Sequence, residues 1–192
     1  MAARQPDRAA LKIPRGRTPG GDIDYLALTF AELDAEVDAW SSRLKTAGVR
    51  RGDRALVMVK QGLPLIASAF ALFKIGAVPV IIDPGMGLKS FLGCVKRSRP
   101  RALIGIPLAQ LVSRLYRPSF ATVVVRVSAG RSLTARLTAR RVQTVGAGRR
   151  VDEPEAVGAD VVTSAATDRA AVLFTSGSTG APPARERCCC GR

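Results

Sequence analysis

Short continuous apolar runs, each followed by a helical pattern, are the main feature of this sequence. The runs that predict buried strands cover residues 23–28, 55–59, 77–83, 102–106, 122–127 and 170–174. The helical patterns cover residues 30–47, 63–76, 88–97 and 108–116. Buried strands that alternate with amphipathic helices are typical of a parallel sheet covered on both faces. The sequence therefore predicts an α/β fold with a largely parallel sheet flanked by helices.

The first predicted helix has clear signals at both of its ends. At its start, the Thr29 hydroxyl and Glu32, three residues later, match the pattern of a capping box. At its end, Gly48 suits the left-handed conformation that follows many helices. The helix has one apolar face, which we expect to lie in the core and which consists of Leu33, Val37, Trp40 and Leu44.

The two ends of the chain and one internal stretch lack such patterns. Residues 1–22 are rich in Arg, Pro and Gly, and we expect them to be a flexible tail. Residues 128–168 have weak signals, with an Arg-rich helical pattern near 132–141, and are expected to be a weakly ordered connection. We therefore expect the ordered domain to comprise residues 23–182, followed by an aberrant Cys/Arg tail at 183–192.

Composition excludes several kinds of chemistry. The 192-residue chain suits one compact domain, and it contains no histidine, which rules out a His general base or His metal ligand within it. Adjacent cysteines at 188–190 rarely pair with one another, and no cysteine spacing resembles a zinc site, so we expect no metal site and a reducing compartment. The alternative is that this run is a cysteine cluster for metal binding or lipid attachment. The most apolar segment, 63–82, is too interrupted to span a membrane, and the start lacks a secretory signal. We expect a cytoplasmic protein.

The positive charge is concentrated in one block. The net charge is +15, and every charged residue between 84 and 150 is basic. Such a block either reflects an Arg-rich composition or binds nucleic acid or anionic lipid. Few aromatic residues lie in the block, and it has no helix-turn-helix or zinc-finger pattern. The arginines that would contact phosphates in this alternative are Arg97, Arg99, Arg101, Arg140, Arg141, Arg149 and Arg150.

Three further polar or reactive side chains are expected to have structural roles. Asp53 lies in a Gly-Asp-Arg turn, and Asp83 precedes a proline at the end of a predicted strand. Cys94 lies on a short predicted helix and is expected to pack as a small apolar residue. None of the three is predicted to be catalytic.

A loop rich in hydroxyl groups and glycine follows the last predicted strand. Glycine permits positive φ and close approach to a ligand, and the exposed amides and hydroxyls can donate hydrogen bonds to phosphate oxygens. The loop lacks the lysine and the glycine spacing of a Walker loop. The sequence predicts a phosphate-binding loop, with a simple flexible turn as the alternative; its residues are Thr175, Ser176, Gly177, Ser178, Thr179 and Gly180.

The segment AVLFTSGSTGAP resembles the phosphate-loop signature of the AMP-forming acyl-adenylating superfamily. The segments LTFAELDAEVDAWSSRLKTAGVRRGDRALVMV and FALFKIGAVPVIIDPG are similar to that family's opening helix, its Gly-Asp-Arg turn and the strands that follow. Within the family, IGIPLAQL looks closest to the long-chain acyl-CoA synthetase and olefin-pathway β-lactone synthetase branch. The likeness covers about residues 25–127 and 168–182.

This resemblance implies a reaction and its cofactors. Family members join a carboxylic acid, here expected to be a fatty acid, to ATP, forming acyl-AMP and pyrophosphate. A thiol or an internal hydroxyl then attacks the acyl-adenylate. By resemblance, the loop at residues 175–180 holds the β- and γ-phosphates of ATP while Mg²⁺ screens their charge.

The chain departs from the family pattern directly after the loop. The family reads TSGSTG-x-P-K-G, whereas Pro182 is followed here by Pro183 and Ala184 and then by a short Cys/Arg tail. We expect a shifted reading frame or a truncated chain, an incomplete N-terminal sub-domain of an adenylate-forming enzyme that does not adenylate by itself. The predicted strand at 170–174 would then form an unpaired sheet edge, which favours self-association.

Overall fold

A computed structural model describes residues 2–129, 169–174 and 184–188 of the chain. Its elements, in chain order, are β1 (Ala9–Arg17), β2 (Ile23–Thr29), α1 (Phe30–Thr46), β3 (Arg54–Met58), α2 (Leu63–Lys74), β4 (Val78–Ile82), a 3₁₀ turn (Pro84–Met86), α3 (Leu88–Ser98), β5 (Ala102–Gly105), α4 (Pro107–Leu115), β6 (Val125–Ser128), β7 (Arg169–Phe174) and β8 (Ala184–Cys188). Within this described part, no helix is both long enough and apolar enough to cross a bilayer.

The main sheet is an open sheet of six strands in the order β6-β5-β3-β4-β7-β8. Strands β6, β5, β3, β4 and β7 run parallel, and only β8 is antiparallel to its neighbour β7. Parallel neighbours require a crossover connection, and α2, α3 and α4 supply these between β3, β4, β5 and β6. The predicted α/β fold with a largely parallel sheet and flanking helices is confirmed.

Two separate cores lie on the two faces of this sheet, and they explain the continuous apolar runs. In β3, Ala55 and Val57 belong to the core under α1 and α2, while Leu56 between them belongs to the core under α3 and α4. The same alternation holds in β5, where Ile104 faces the first core and Leu103 the second. A strand covered on both faces has no solvent side and therefore needs no polar positions.

The local signals of the first helix are confirmed. The Glu32 amide donates to Thr29 Oγ1 at 3.2 Å, and the Thr29 amide donates to Glu32 Oε2 at 2.9 Å. Helix α1 ends at Thr46, and Gly48 has a φ of 91°, as expected for the left-handed position just beyond a helix. Of the predicted apolar face, Val37, Trp40 and Leu44 are buried, and Leu33 packs against the same core half-buried.

The expected flexible tail at residues 1–22 contains a strand instead. Strand β1 pairs antiparallel with β2, which places Leu11 opposite Leu28 and Ile13 opposite Leu26. Leu11 and Ile13 pack half-buried against the core under α1 and α2. The prediction was wrong for Ala9–Arg17 because the apolar alternation is only three residues long and is followed by Pro, Arg and Gly, which mask a short strand signal.

The region after α4 differs from the prediction at one boundary. The predicted strand at 122–127 begins only at Val125, because the residues before it form a turn in which the Val123 amide donates to the Phe120 carbonyl at 3.0 Å. The Thr122 hydroxyl ties this turn to the Pro100 carbonyl at 2.7 Å. The Arg-rich pattern near 132–141 lies outside the described residues, as does the connection at 130–168.

Strand β7 does not form the unpaired edge that the sequence suggested. It pairs with β4 on one side and with β8 on the other, with Phe174 as the Cα partner of Ala184. The expected Cys/Arg tail therefore contributes a sheet strand over Ala184–Cys188. The prediction that β7 is the edge of the sheet was wrong, because an antiparallel partner such as β8 needs only a short connection after β7.

Candidate functional site

The carboxyl ends of the parallel strands meet at one edge of the sheet, which we call the carboxyl edge. Strands β3, β4 and β5 end at Met58, Ile82 and Gly105, and each is followed by a short connection into the next helix. In open α/β sheets, ligands bind in the crevice outside the carboxyl ends of the strands. This edge is therefore the place to examine for a binding site.

The predicted phosphate loop, Thr175–Gly180, lies outside the described residues, but both ends of its connection are described. Strand β7 ends at Phe174, which is the Cα partner of Ile82 at the end of β4. Strand β8 begins at Ala184, the Cα partner of Phe174. Residues 175–183 thus connect two paired residues, so the chain leaves the sheet and returns to it at the carboxyl edge.

The end of β7 is held firmly where the loop departs. Phe174 is 3% exposed, and its carbonyl accepts a hydrogen bond from the Asp83 amide at 3.4 Å. The Arg97 guanidinium of α3 lies over the Phe174 ring, 5.4 Å from its centroid. A loop that starts from a buried and hydrogen-bonded residue has a fixed point of departure, which suits a binding loop. The contact between Arg97 and Phe174 joins residues far apart in the chain, and no sequence pattern indicated it.

Asp83, next to this strand end, shapes the turn after β4. Its Oδ1 accepts a hydrogen bond from the Gly85 amide at 2.9 Å and so caps the 3₁₀ turn. The Asp83 side chain is exposed, while the Asp83 backbone amide donates the hydrogen bond to the Phe174 carbonyl described above. The expected turn-forming role of Asp83 is confirmed.

Three helices begin beside the carboxyl edge without a side-chain cap. The residues before α2, α3 and α4 are Gly62, Gly87 and Ile106, and none makes a capping hydrogen bond through a side chain. None of these helices has an acidic residue in its first turn. Because the first amides of a helix carry partial positive charge, this edge is electrostatically suited to an anion such as a phosphate.

Asp53 is bound on the opposite edge of the sheet, where β3 begins. Its Oδ2 accepts a hydrogen bond from the Arg50 amide at 2.8 Å and pairs with the Arg101 guanidinium, which also donates to the Gly48 carbonyl at 3.1 Å. These contacts fix the turn between α1 and β3. The structural role predicted for Asp53 is confirmed.

Cys94 is 2% exposed and packs in the core under α3. Burial raises the pKa of its thiol, and the nearby Arg97 charge only partly offsets that effect. Its Sγ lies 3.7 Å from Met86 Sδ. A buried, protonated thiol beside a thioether behaves as an apolar side chain, as the sequence predicted.

The described portion of the basic block, residues 84–129, is part of the α/β fold and does not form a separate module. Arg97 lies over Phe174, Arg101 pairs with Asp53, and Arg99 ends α3 in a left-handed conformation with a φ of 47°. The remaining arginines named for phosphate contact, which are Arg140, Arg141, Arg149 and Arg150, lie outside the described residues.

Comparisons with known proteins agree with this geometry. A profile of the AMP-binding enzyme family matches residues 1–183. Over 185 residues the chain is 44% identical to the olefin beta-lactone synthetase of Xanthomonas campestris pv. campestris, and over 187 residues it is 37% identical to the olefin beta-lactone synthetase of Stenotrophomonas maltophilia. Each match covers 95% of this chain but 32% of the relative. The chain thus spans about a third of the length of these curated relatives.

A solved structure shows the same fold. The fatty acyl-adenylate ligase from L. pneumophila, in complex with acyl adenylate and pyrophosphate, superposes with a TM-score of 0.65 over 97% of this chain and 28% of the ligase, at 19% identity. The resemblance drawn from TSGSTG and the upstream segments is confirmed, and the alternative of a basic nucleic-acid or lipid module is not supported. With a family profile matched over nearly its whole length, this chain belongs to the AMP-binding enzyme family.

Proposed function

We propose that this chain is the N-terminal part of an enzyme that activates a carboxylic acid with ATP, giving acyl-AMP and pyrophosphate. The observation that carries the proposal is that β7, directly before the loop sequence, ends at the buried Phe174 on the carboxyl edge of the sheet. The residues proposed to bind the β- and γ-phosphates are Thr175, Ser176, Gly177, Ser178, Thr179 and Gly180.

In this proposal the chain contributes binding and orientation. Amides and hydroxyls of the loop donate hydrogen bonds to phosphate oxygens, which orients the α-phosphate for attack by a carboxylate. The hydrogen bond from the Asp83 amide to the Phe174 carbonyl fixes where the loop begins. In the described portion, no group of three or more acidic, cysteine or histidine side chains is arranged to hold a metal ion, so we assign no ligand for Mg²⁺ here.

The proposed substrate is a fatty carboxylic acid, and the proposed location is the cytoplasm. The likeness to the fatty acyl-adenylate ligase described above supports the substrate class. The absence of histidine and of a metal-binding cysteine spacing in the sequence agrees with a reaction that needs neither a His base nor a zinc ion in this part. Activation of the carboxylate is then an electrostatic and positional task.

Nucleotide binding tests this proposal. We compare ATP and AMP binding, by isothermal titration calorimetry with Mg²⁺ present, for the chain and for the variant Thr175→Ala/Ser176→Ala/Thr179→Ala. Because the loop is proposed to contact the β- and γ-phosphates, the variant should lose ATP affinity by about tenfold or more while AMP affinity changes little.

The control variant is Ser42→Ala/Thr46→Ala, which removes exposed hydroxyls from α1. It should bind ATP as the unmodified chain does. Equal ATP affinity in the chain and in the loop variant would contradict the assignment of the phosphates to residues 175–180. A parallel loss of ATP and AMP affinity would contradict it as well, since the loop would then act on the nucleoside or on folding.

A further inference from the structure

Arg97 connects helix α3 to the strand end that directly precedes the loop sequence. It lies in the last turn of α3, and its guanidinium stands over the ring of Phe174, with Cζ 5.4 Å from the ring centroid. The Phe174 side chain is buried, whereas Arg97 is exposed and its side chain could extend into water. A guanidinium over an aromatic ring is attracted by the negative face of the ring. The contact therefore ties the end of β7 to α3.

The backbone contributes only part of the restraint on Phe174. The hydrogen bond from the Asp83 amide to the Phe174 carbonyl is 3.4 Å long, whereas the usual length is about 2.9 to 3.0 Å. The Phe174 side chain belongs to the same core as Cys94 and Val95 of α3, so residues of this helix lie within reach of its ring. The contact with Arg97 thus adds a side-chain restraint where the backbone hydrogen bond is long.

We infer that Arg97 is a positioning residue for ATP binding: by holding the Phe174 ring, it fixes the strand end from which the proposed phosphate loop extends. The inference rests on the proposed function, since it concerns the loop assigned there to the β- and γ-phosphates of ATP. Several donors on one loop can meet phosphate oxygens together only when the residues that support the loop are fixed. Arg97 acts through Phe174 and is not assigned a contact with the nucleotide.

The ring contact distinguishes this role from a general effect of positive charge. Cation–ring contacts in the described part of the chain include Arg43 over Trp40, within α1, and Arg97 over Phe174, which joins a helix to a strand. Lys96, the residue before Arg97 on α3, is also a cation and is also exposed. A charge that acts through space would act from Lys96 much as it does from Arg97, whereas a contact with the ring acts only from Arg97.

Isothermal titration calorimetry of the full chain with ATP and with AMP, in the presence of Mg²⁺, tests this role. Arg97→Gln should weaken ATP binding by about threefold, which is the effect of one exposed cation–π contact. AMP affinity should change little, because AMP lacks the β- and γ-phosphates; a substitution that only loosened the fold would weaken the binding of both nucleotides. Lys96→Gln removes the same charge from the neighbouring residue and should bind ATP as the unmodified chain does.

A double-mutant cycle identifies the path of the effect. Phe174→Leu removes the ring but keeps an apolar side chain in the core, and it should weaken ATP binding as well. Arg97→Gln should then cause little further loss in the Phe174→Leu chain, because the contact is already absent. Urea denaturation of each variant checks that it is folded under the conditions of the titration. Should Phe174→Leu fail to fold, the comparison of Arg97→Gln with Lys96→Gln decides by itself.

The outcomes separate this inference from the proposed function. Equal losses in Arg97→Gln and Lys96→Gln would overturn the inference, as would a parallel loss of ATP and AMP affinity or additive effects in the cycle. Unchanged ATP affinity in Arg97→Gln would overturn it too, but would leave the loop assignment intact if Thr175→Ala/Ser176→Ala/Thr179→Ala loses affinity. If that loop variant kept full ATP affinity, or if the chain bound no ATP, the proposed function would fail and this inference with it.

Discussion

At Gly105 the backbone of β5 has room for a hydrogen atom but not for a methyl group. A Cβ there would lie 2.8 Å from Ala109 Cβ and 3.6 Å from the Met58 carbonyl oxygen. Gly105→Ala should therefore lower the free energy of unfolding by about 1 to 3 kcal/mol, measured by urea denaturation. Gly93→Ala is the matched control: nothing lies within 4 Å of a Cβ on that helical glycine, so alanine should leave stability equal or slightly higher. Equal loss in both variants would contradict close packing at Gly105.

Lys74 joins α2 to α1 through ion pairs with Asp34 and Asp38. Burial by itself lowers the pKa of Lys74, but the hydrogen bonds and charges of the two aspartates outweigh it, and the pKa is raised above its ordinary value of 10.5. A raised pKa in the folded state means that the stabilisation is fully present below about pH 10.5 and is lost as the pH rises through the folded value.

The variant Lys74→Met should consequently be less stable than the unmodified chain at neutral pH, by no more than about 1 kcal/mol. The difference should shrink as the pH is raised above 10.5, the ordinary pKa of the side chain. Urea denaturation along an alkaline pH series measures it, with the exposed Lys45→Met on α1 as the control. A difference that stays constant through the alkaline range would show that the lost packing of the side chain, not its charge, accounts for the effect.

Among the elements, α1 depends on the cap at its start. The reciprocal hydrogen bonds between Thr29 and Glu32 satisfy two backbone amides that would otherwise lack partners. Thr29→Ala should cost about 1 kcal/mol of unfolding free energy, read from the shift in urea midpoint at constant slope. Thr46→Ala, at the exposed last residue of the same helix, should change stability by a few tenths at most. If both variants lost the same amount, the cap would contribute nothing specific.

Elements with strong local signals could be predicted from the sequence, whereas elements formed by long-range pairing could not. The cap at Thr29 and the buried strand around Leu56 are encoded in adjacent residues, and both were predicted. Strand β1 depends on pairing with β2 and on Leu11 packing against a core formed later in the chain, so its own short pattern was insufficient. The same holds for β8, whose pairing with β7 no local pattern indicated.

In the candidate site, too, the features encoded by a local motif could be predicted and those that depend on long-range contacts could not. Residues 175–180 were identified by a local motif and remain a prediction, and the turn-forming role of Asp83 followed from the proline beside it. The support behind the loop was not predictable, because the contact of Arg97 with Phe174 and the hydrogen bond from Asp83 to Phe174 join residues far apart in the chain. Only the order of strands in the sheet brings these residues together.

For the molecule as a whole, we expect the chain to bind ATP but not to use it in a reaction. The lysine that follows the loop in the family pattern is replaced by Pro183, and a developing pyrophosphate needs a positive charge to stabilise it. The chain alone should therefore bind ATP without turnover. ATP–pyrophosphate exchange with a panel of fatty acids measures this, and the rate should not exceed that of a variant lacking residues 175–180. The fatty acyl-adenylate ligase from L. pneumophila serves as the active control. Exchange by the chain above that of the loop-deleted variant would contradict this prediction.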